Sequence, residues 1–366
     1  MRTLSLLTIH LGSNFGSILQ TIASVKVLDR LNFSVTVINY IPERCTWKRF
    51  FQKNSKSLFG IIKLLLGVQI VAVNKHIYNS YLCKYVKVSK PIYKRDDFKK
   101  KCPQTDVYVT GSDQVWNSVY NEGLDKRYYF EGFPSNVIKI SYSSSIGKEE
   151  LDEQEYEEVK RMLGSYKAIS VREASAKILI ESMGYKVVHL LDPTFMLDKD
   201  DWKQYMSRRL VKRPYLLVYL PYNIHDKGVI YQSVRKIAQS KNLKVVAFSW
   251  DIRPERLADK TVYFANPGDF LSLMYHADYI MTNSFHGTAF SVNLNKQFWV
   301  YMPTSYGTRI KSILDLCNLQ HRLLQPDEVI SDNKIGKNII FESVNSVLAA
   351  ERQKTYDFLL EALGDN

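Results

Sequence analysis

Short apolar runs alternate with helical patterns along almost the whole chain, and this alternation restricts the fold more than any other feature. The first two runs lie at residues 3–9 and 34–39, with a helical pattern over 18–31 between them. The same alternation resumes at residue 215. It is typical of α/β proteins in which helices connect parallel strands. Because 366 residues are enough for two domains, we expect two Rossmann-like domains facing across a cleft.

A charged stretch over residues 197–214 separates the two sets of alternating elements. We therefore predict an N-terminal Rossmann-like domain at residues 1–205 and a C-terminal one at residues 206–366. The final helical pattern, residues 343–363, has no strand after it and could pack back on the N-terminal domain.

The composition predicts a soluble globular protein, with 24% charged and 45% hydrophobic residues. No apolar run reaches the roughly 18–20 residues of a membrane span, and the first apolar run lacks the features of a signal peptide. We therefore expect a cytoplasmic location. The four cysteines have no metal-like spacing, so no metal site is predicted. The glycines after the first strand do not have the dinucleotide-binding spacing, so NAD is not inferred.

The positive charge is concentrated in one segment. Residues 45–101 contain 14 Lys or Arg and only two acidic residues, which accounts for nearly all of the net charge of +13. Within this segment, an apolar stretch at 57–68 is surrounded by aromatic residues. An anionic membrane surface or a lipid-linked substrate would suit this pattern. A helix buried against its domain, with a solvated basic rim, is the other interpretation. No nucleic-acid recognition motif accompanies the charge.

Polar residues follow two of the predicted strands in the first half of the chain. Asp113, Trp116 and Asn117 come after the strand at 106–110, and Arg172 follows the strand at 168–171. Ligands in open α/β sheets bind at the carboxyl ends of strands, so these residues are site candidates. The alternatives are a turn with Trp116 in the core, and an ordinary salt bridge from Arg172 to Glu173 or a neighbour.

The stretch 282–290 combines the end of a predicted strand with the start of a predicted helix. Ser284, His286 and Gly287 lie at this junction, where backbone N–H groups, a hydroxyl and an imidazole could hold an anion. A simple helix cap with a satisfied imidazole is the alternative.

An ordered set of short motifs resembles the polysaccharide pyruvyl transferase family. The resemblance covers roughly residues 4–320 and is carried by residues 14–17 with Gln20, 110–117, 141–147, 171–173, 191–194 and 283–287. Ser17 stands where many members of that family have Asp. The resemblance implies a GT-B-like fold. It also implies transfer of a pyruvyl group from phosphoenolpyruvate to sugar hydroxyls of a cell-surface polysaccharide, forming a ketal and releasing phosphate.

The resemblance also suggests roles for the two domains and for particular residues. The first domain would hold the acceptor and the second a donor anion. Arg172 matches the family's donor-binding arginine, and Ser284 and Gly287 are predicted to help bind the donor. Arg309 and Arg322 are weaker candidates for contacts with the donor phosphate, because a basic residue on a helix is more often a solvated surface group. His286 is the expected proton donor or phosphate ligand. Asp113 is expected either to take the hydroxyl proton of the acceptor or only to hydrogen-bond the sugar. The acceptor is expected to contact Asn14, Gln20, Trp116 and Asn117, with a pyranose stacked on the Trp116 ring.

Phosphoenolpyruvate would be a co-substrate, and the reaction as written needs no cofactor or metal. The acceptor would be a glycan or a lipid-linked oligosaccharide, at the inner face of the cell membrane if residues 45–101 bind anionic lipid. The sequence is also compatible with two other functions. One is a GT-B-type glycosyltransferase that uses a nucleotide sugar in surface glycan synthesis, and the other is a glycan-binding scaffold without catalytic activity.

Overall fold

A computed structural model describes most of the chain, and its residues form two compact units. Unit 1 comprises residues 1–196 and 353–366, and unit 2 comprises residues 197–352. The change of unit therefore falls between Met196 and Leu197, earlier than the predicted boundary after residue 205. The end of the last helix belongs to unit 1. The structure describes residues 1–11, 14–54, 58–93, 97–223, 226–249, 253–304 and 307–364.

Unit 1 contains a four-stranded parallel sheet with the order β2-β1-β3-β4. β1 is central in this sheet, and its Leu6 pairs with Val37 of β2 on one side and with Val109 of β3 on the other. A short parallel pair, β5 and β6, follows, and isolated bridges join it to the β4 side. The strands are β1 (Arg2–Leu7), β2 (Phe33–Val37), β3 (Val107–Thr110), β4 (Ile138–Ser141), β5 (Ser170–Val171) and β6 (Val188–His189).

The helices of unit 1 include an inserted group between β2 and β3. α1 connects β1 to β2, as the alternating pattern predicts, and α5 and α6 separate the later strands. Three helices, α2 to α4, occupy the basic segment. The helices are α1 (Phe15–Arg30), α2 (Trp47–Asn54), α3 (Leu58–Tyr85), α4 (Phe98–Lys101), α5 (Glu153–Leu163) and α6 (Ala174–Ser182).

Part of the predicted basic segment lies outside the described residues. This applies to residues 55–57 and 94–96, and to the side chains of residues 58–66. The predicted apolar stretch 57–68 is otherwise the first part of the long helix α3. Among the helices that the structure describes, none is both long enough and apolar enough to cross a membrane.

Unit 2 contains a six-stranded parallel sheet with the order β12-β11-β10-β7-β8-β9. The two parallel sheets confirm the α/β class predicted from the sequence. The strands are β7 (Tyr215–Tyr219), β8 (Lys244–Ser249), β9 (Lys260–Tyr263), β10 (Tyr279–Thr282), β11 (Gln297–Tyr301) and β12 (Leu323–Leu324). The helices are α7 (Lys199–Lys203), α8 (Lys227–Lys241), α9 (Pro267–His276), α10 (Phe285–Asn293), α11 (Thr308–Leu316), α12 (Asp332–Gly336) and α13 (Phe341–Leu363), whose last part belongs to unit 1.

The strand order of unit 2 reverses direction between β7 and β10. From β7 the chain adds β8 and β9 on one side, and it then crosses to β10 and β11 on the other side. The loops after β7 and β10 therefore leave the sheet on opposite sides. A crevice at the carboxyl ends of strands is expected at such a reversal, and it is the usual ligand position in open α/β sheets.

Candidate functional site

Two of the predicted strand-end residues of unit 1, Asp113 and Arg172, meet in one buried polar cluster that is centred on Arg172. This residue follows β5 directly, and its side chain is fully buried. Its Nη1 donates to Asp192 Oδ2 at 2.7 Å and to Ser112 Oγ at 3.4 Å. Its Nη2 donates to Asp113 Oδ1 at 3.2 Å. The guanidinium is thus held by two carboxylates that follow different strands, β3 and β6.

The surroundings of Arg172 change the pKa of its guanidinium group. Burial alone would lower the pKa of the guanidinium, but the carboxylates of Asp113, Asp192 and Glu173 outweigh it and raise the pKa above its ordinary value. In this structure the N–H groups of Arg172 bind the protein's own carboxylates, and its expected donor-binding role stays a prediction. The salt-bridge alternative is the arrangement found, with Asp113 and Asp192 as the closest partners and Glu173 at 4.0 Å.

Asp113 occupies a strained position at the end of β3. Its φ of +75° lies in the left-handed region, which a non-glycine residue rarely adopts. Oδ2 accepts a 2.6 Å hydrogen bond from the Ser17 hydroxyl, while Oδ1 accepts from the Gln114 N–H and from Arg172. Ser17, the residue that stands where many family members have Asp, is thus a direct partner of Asp113. The base role of Asp113 stays a prediction.

Glu173 organises the turn that follows β4. Its Oε1 accepts three hydrogen bonds, from the Ser145 hydroxyl and from the N–H groups of Ile146 and Gly147, all at 2.8–2.9 Å. This carboxylate therefore fixes the backbone of the predicted motif at 141–147. Glu173 is itself fully buried, and its role is to stabilise the turn at the end of β4.

Trp116 is part of the core, so its predicted role as a stacking surface for a sugar is wrong. Only 1% of the residue is exposed. The indole stacks on the Tyr129 ring at 5.2 Å between centroids, meets the Tyr166 ring edge-on, and donates from Nε1 to the carbonyl of Tyr128 at 3.2 Å. No face of the indole is open to a pyranose. The alternative interpretation, in which Trp116 belongs to the core, is therefore confirmed.

The other predicted acceptor residues also have internal partners. Asn117 is fully buried; its Nδ2 donates to Gln114 Oε1 at 2.7 Å and its Oδ1 accepts the Tyr120 N–H. Gln20 is fully buried, and its Nε2 lies within hydrogen-bonding distance of Thr8 Oγ1 at 2.9 Å. Asn14 is half-buried and caps α1 by accepting from the Gly16 N–H at 2.9 Å. These hydrogen bonds give the three residues a structural role, and their expected contact with the acceptor stays a prediction.

The junction predicted in unit 2 is a strand end followed by a capped helix. Ser284 is the N-cap of α10, and its Oγ accepts the Gly287 N–H at a long 3.4 Å. The Tyr219 hydroxyl is another partner of the Ser284 side chain. Every residue of α10 is buried. The N-terminus of this nine-residue helix provides a partial positive charge at the carboxyl end of β10.

His286 lies in the first turn of α10 and is only 3% exposed. Its imidazole meets the Phe285 ring edge-on at 5.2 Å between centroids. Arg309 of α11 also contacts the Phe285 ring, and its guanidinium carbon lies 5.3 Å from the centroid of that ring. Arg309 is also only 3% exposed. The fold thus brings a buried guanidinium to the helix start that carries Ser284 and His286.

Arg322, the weaker donor candidate, lies elsewhere in unit 2. Its guanidinium stacks on the Trp299 ring at 4.7 Å, and Nη2 donates to the carbonyl of Lys337 at 2.7 Å. It also contacts Tyr279, the first residue of β10. This places Arg322 near the amino end of β10, whereas Ser284 follows the carboxyl end. A donor role for Arg322 at the α10 start is therefore wrong.

Gly287 is required by close packing of α10 on the sheet. A Cβ at this position would overlap Thr282 Oγ1 and lie 3.0 Å from Cδ1 of Tyr219. Its predicted place at the helix start is confirmed by the bounds of α10. The absence of a side chain lets the helix start approach β7 and β10.

Replacement of Gly287 by Ala is expected to lower the free energy of unfolding by about 1–3 kcal/mol, because the added methyl overpacks the sheet. Urea denaturation followed by circular dichroism measures this loss. Gly336 is the matched control, since a Cβ there meets nothing within 4 Å. Gly336→Ala should leave stability unchanged or raise it by about 0.4–1 kcal/mol. Equal unfolding midpoints for the two variants would contradict the packing argument.

Comparison with known protein families identifies the chain. The sequence profile described as polysaccharide pyruvyl transferase matches residues 14–305. The chain belongs to the polysaccharide pyruvyl transferase family. The resemblance read from the ordered motifs is thereby confirmed, and this family member is a transferase connected with polysaccharide modification. A search of functionally curated proteins gives no significant match.

Solved structures with a similar fold include two kinds of sugar enzyme. A UDP-GlcNAc 2-epimerase from Neisseria meningitidis, bound to UDP-GlcNAc, is 11% identical with a TM-score of 0.54, and the match covers 100% of both chains. A glycosyltransferase from Rickettsia africae is 13% identical with a TM-score of 0.50, and the match covers 100% of this chain and 99% of that one. These GT-B-type neighbours support the GT-B-like fold class of this family member.

Sequence reasoning missed several residues of the unit 1 cluster. Ser112, Asp192 and Ser17 all contact the carboxylate or guanidinium groups of the cluster. Each of them lies in one of the motifs that resemble the pyruvyl transferase family, so their presence in those motifs was the available signal. Among the residues that the structure describes, no three His, Cys, Asp or Glu side chains come together as a metal site.

Proposed function

We propose that this enzyme transfers a pyruvyl group from phosphoenolpyruvate to sugar hydroxyls of a cell-surface polysaccharide or its lipid-linked precursor, and releases phosphate. Membership of the polysaccharide pyruvyl transferase family supports the reaction class. The observation that carries the donor assignment is the meeting of Arg309 with the α10 start through the Phe285 ring. No metal or other cofactor is part of the proposal.

The α10 start has the chemistry that a phosphoenol donor requires. Phosphoenolpyruvate carries a phosphate and a carboxylate, and both are anions. A guanidinium, a hydroxyl and a helix N-terminus are the groups that bind such anions. We assign Arg309, Ser284 and the N-terminus of α10 to the donor. Their low exposure keeps the local dielectric low, which strengthens each of these contacts.

Ketal formation needs a proton at the methylene carbon of the donor. Protonation makes the adjacent carbon electrophilic; a sugar hydroxyl then adds to it, and a second hydroxyl replaces the departing phosphate. Of the two hydroxyl protons, one replaces the proton given to the methylene carbon and the other leaves with the inorganic phosphate. We assign the proton delivery to His286, because imidazole is the side chain whose ordinary pKa lies nearest to neutral pH.

Phosphate release tests this proposal against the alternative of glycosyl transfer from a nucleotide sugar. The protein is incubated with phosphoenolpyruvate and a panel of free and lipid-linked oligosaccharides, and ³¹P NMR follows the products. We expect acceptor-dependent inorganic phosphate and an acceptor that gains a pyruvate ketal by mass spectrometry. Release of a nucleoside diphosphate from UDP-sugars, with no phosphate from phosphoenolpyruvate, would contradict the proposal.

The basic segment suggests that the enzyme works next to a lipid surface. Around α2 and α4, two aromatic side chains are partly exposed, Trp47 at 39% and Phe51 at 40%, and Lys99–Lys101 form the exposed basic end of α4. Lys75 lies over the Trp47 ring at 4.5 Å. We propose that these helices attach the protein to anionic lipid, where a lipid-linked acceptor would be found.

Reversal of charge at Lys99, Lys100 and Lys101 to Glu is expected to weaken binding to anionic vesicles by at least about tenfold, since each basic residue near such a surface contributes about 1 kcal/mol. Co-sedimentation with phosphatidylglycerol-containing vesicles measures the change. Reversal of Lys199, Lys203 and Lys212 in unit 2 is the matched control and should have little effect. If both triple variants bind alike, the segment is not the lipid contact.

A further inference from the structure

A cavity of about 240 Å³ opens in unit 2, at the carboxyl ends of the neighbouring strands β7 and β8. It is lined by residues of these strands, of the loop after β7, of the first helical turns of α8, and by Glu255. Pockets for drug-sized ligands have volumes of about 300–1,000 Å³. The cavity is therefore large enough for a single small ring and small for a complete nucleoside diphosphate sugar.

The cavity lies beside the point where the strand order reverses. Asn283, the residue before the α10 cap, donates from Nδ2 to the carbonyl of Tyr222 at 2.8 Å, and its Oδ1 accepts the Tyr222 N–H at 3.4 Å. Tyr222 lines the cavity. A buried asparagine thus joins the cavity wall directly to the helix start that we assign to the donor.

The polar groups of the cavity are suited to hydroxyls. Tyr231 donates from its hydroxyl to Glu255 Oε1 at 2.6 Å, which orients the carboxylate. Burial and the nearby Glu255 raise the pKa of Tyr231 to about 12, so the phenol keeps its proton at neutral pH. Asn223 adds an exposed amide at the mouth. A fixed carboxylate and an amide are good partners for sugar hydroxyls, which both donate and accept hydrogen bonds.

The charge of the lining argues against an anion. Among the described lining residues, Lys227 is the cationic one and Glu255 is the acidic one, so the two formal charges cancel. A nucleoside diphosphate would need an excess of positive charge. The lining also includes the apolar residues Val218, Ala247 and Phe248. A lining that combines apolar surface with a few polar groups suits a neutral pyranose.

We infer that this cavity binds one uncharged sugar ring of the acceptor glycan, with Glu255 and Asn223 hydrogen-bonding to its hydroxyls and Tyr222 beside the ring. The inference rests on the proposed function and adds to it the place of an acceptor sugar. It assigns the acceptor contacts to unit 2, whereas the residues predicted for that role in unit 1 have internal partners. Asn283 then couples the occupied cavity to the α10 start.

Saturation-transfer difference NMR on the full-length protein tests the inference. The probes are methyl β-D-galactopyranoside, methyl β-D-glucopyranoside and methyl α-D-mannopyranoside, each measured with the unaltered protein and with Glu255→Gln and Asn223→Ala. We expect transfer to at least one glycoside, reduced at least fivefold in both variants. Glu342→Gln, the same chemical change at a carboxylate outside the cavity, should leave the signal unchanged.

The outcomes separate the inference from the proposed function. Absence of transfer to all three glycosides, or equal transfer in the cavity variants, overturns the inference, and so does binding of UDP that is lost in the cavity variants. Phosphoenolpyruvate binding is measured on the same samples by ³¹P line broadening. If phosphoenolpyruvate binds but no sugar does, only the sugar site is overturned. If a sugar binds in the cavity but phosphoenolpyruvate does not, the donor assignment is overturned and the sugar site stands.

Discussion

Replacement of His286 by Gln is expected to lower phosphoenolpyruvate-dependent phosphate release by about 10²–10⁴-fold, the usual contribution of a general acid. Glutamine fills much of the space of this buried imidazole and can still hydrogen-bond, but it has no proton to deliver near neutral pH. The rate is measured by continuous phosphate release at saturating acceptor. The free energy of unfolding, measured by urea denaturation, should change by less than about 1 kcal/mol, since the side-chain volume is nearly conserved.

His276→Gln is the control for this prediction. His276 ends α9 in the same unit, and its Nδ1–H donates to the carbonyl of Ser272 at 2.8 Å. It precedes the amino end of β10, whereas His286 follows the carboxyl end. We expect an unchanged rate for His276→Gln. A rate for His286→Gln that falls only in proportion to lost stability would make His286 a structural residue.

Replacement of Arg172 by Met is expected to lower the free energy of unfolding by about 3–5 kcal/mol, the cost of leaving buried carboxylates without their cation. Methionine keeps part of the volume, so the loss reports mainly on the charge. Urea denaturation at pH 8 measures it. Without the guanidinium, the buried carboxylates that it pairs with are left without a cation, and their protonation relieves part of that cost. The loss is therefore expected to be smaller at pH 5, where these groups can take up protons.

Arg161→Met is the matched control for Arg172. Arg161 also pairs with two carboxylates, those of Glu131 and Glu158, but it is exposed. Because exposed pairs contribute only about 0–1 kcal/mol, this variant should unfold nearly as the unaltered protein does. Equal losses for the two variants would mean that the buried cluster is not held together by its charge.

The expectation that ligands bind at the carboxyl ends of strands predicted where the candidate residues lie, but it did not predict their roles. Asp113 and Arg172 follow strands, as predicted, because strand ends are set by local apolar patterns. Their mutual contact joins residues 59 positions apart, and Arg172 meets Asp192 20 positions away. No local pattern records which distant carboxylate a guanidinium will meet. The same limit explains Trp116, whose core partners, including Tyr129, come from later parts of the chain.

In unit 2 the local part of the site was predictable and the tertiary part was not. The strand end, the Ser284 cap and the start of α10 follow from the sequence around them. The contact of Arg309 with the Phe285 ring depends on how α11 packs, which the sequence alone does not give. The strand β9 was missed because it is short, half-exposed and at the edge of the sheet. The cleft expected between the two halves stays a prediction.

The division of the chain has a consequence for its biosynthesis. Unit 1 is assembled from the first 196 residues and from residues 353–366, so it is discontinuous in sequence. Arg2 at the start of β1 donates from Nη1 to the carbonyl of Leu363 at 2.6 Å, and Lys167 donates to the carbonyl of Gly364. During translation, Arg2 therefore acquires this hydrogen bond only after residue 363 has left the ribosome. Unit 2 is continuous and is synthesised before residues 353–366, so it can complete its structure before unit 1 does.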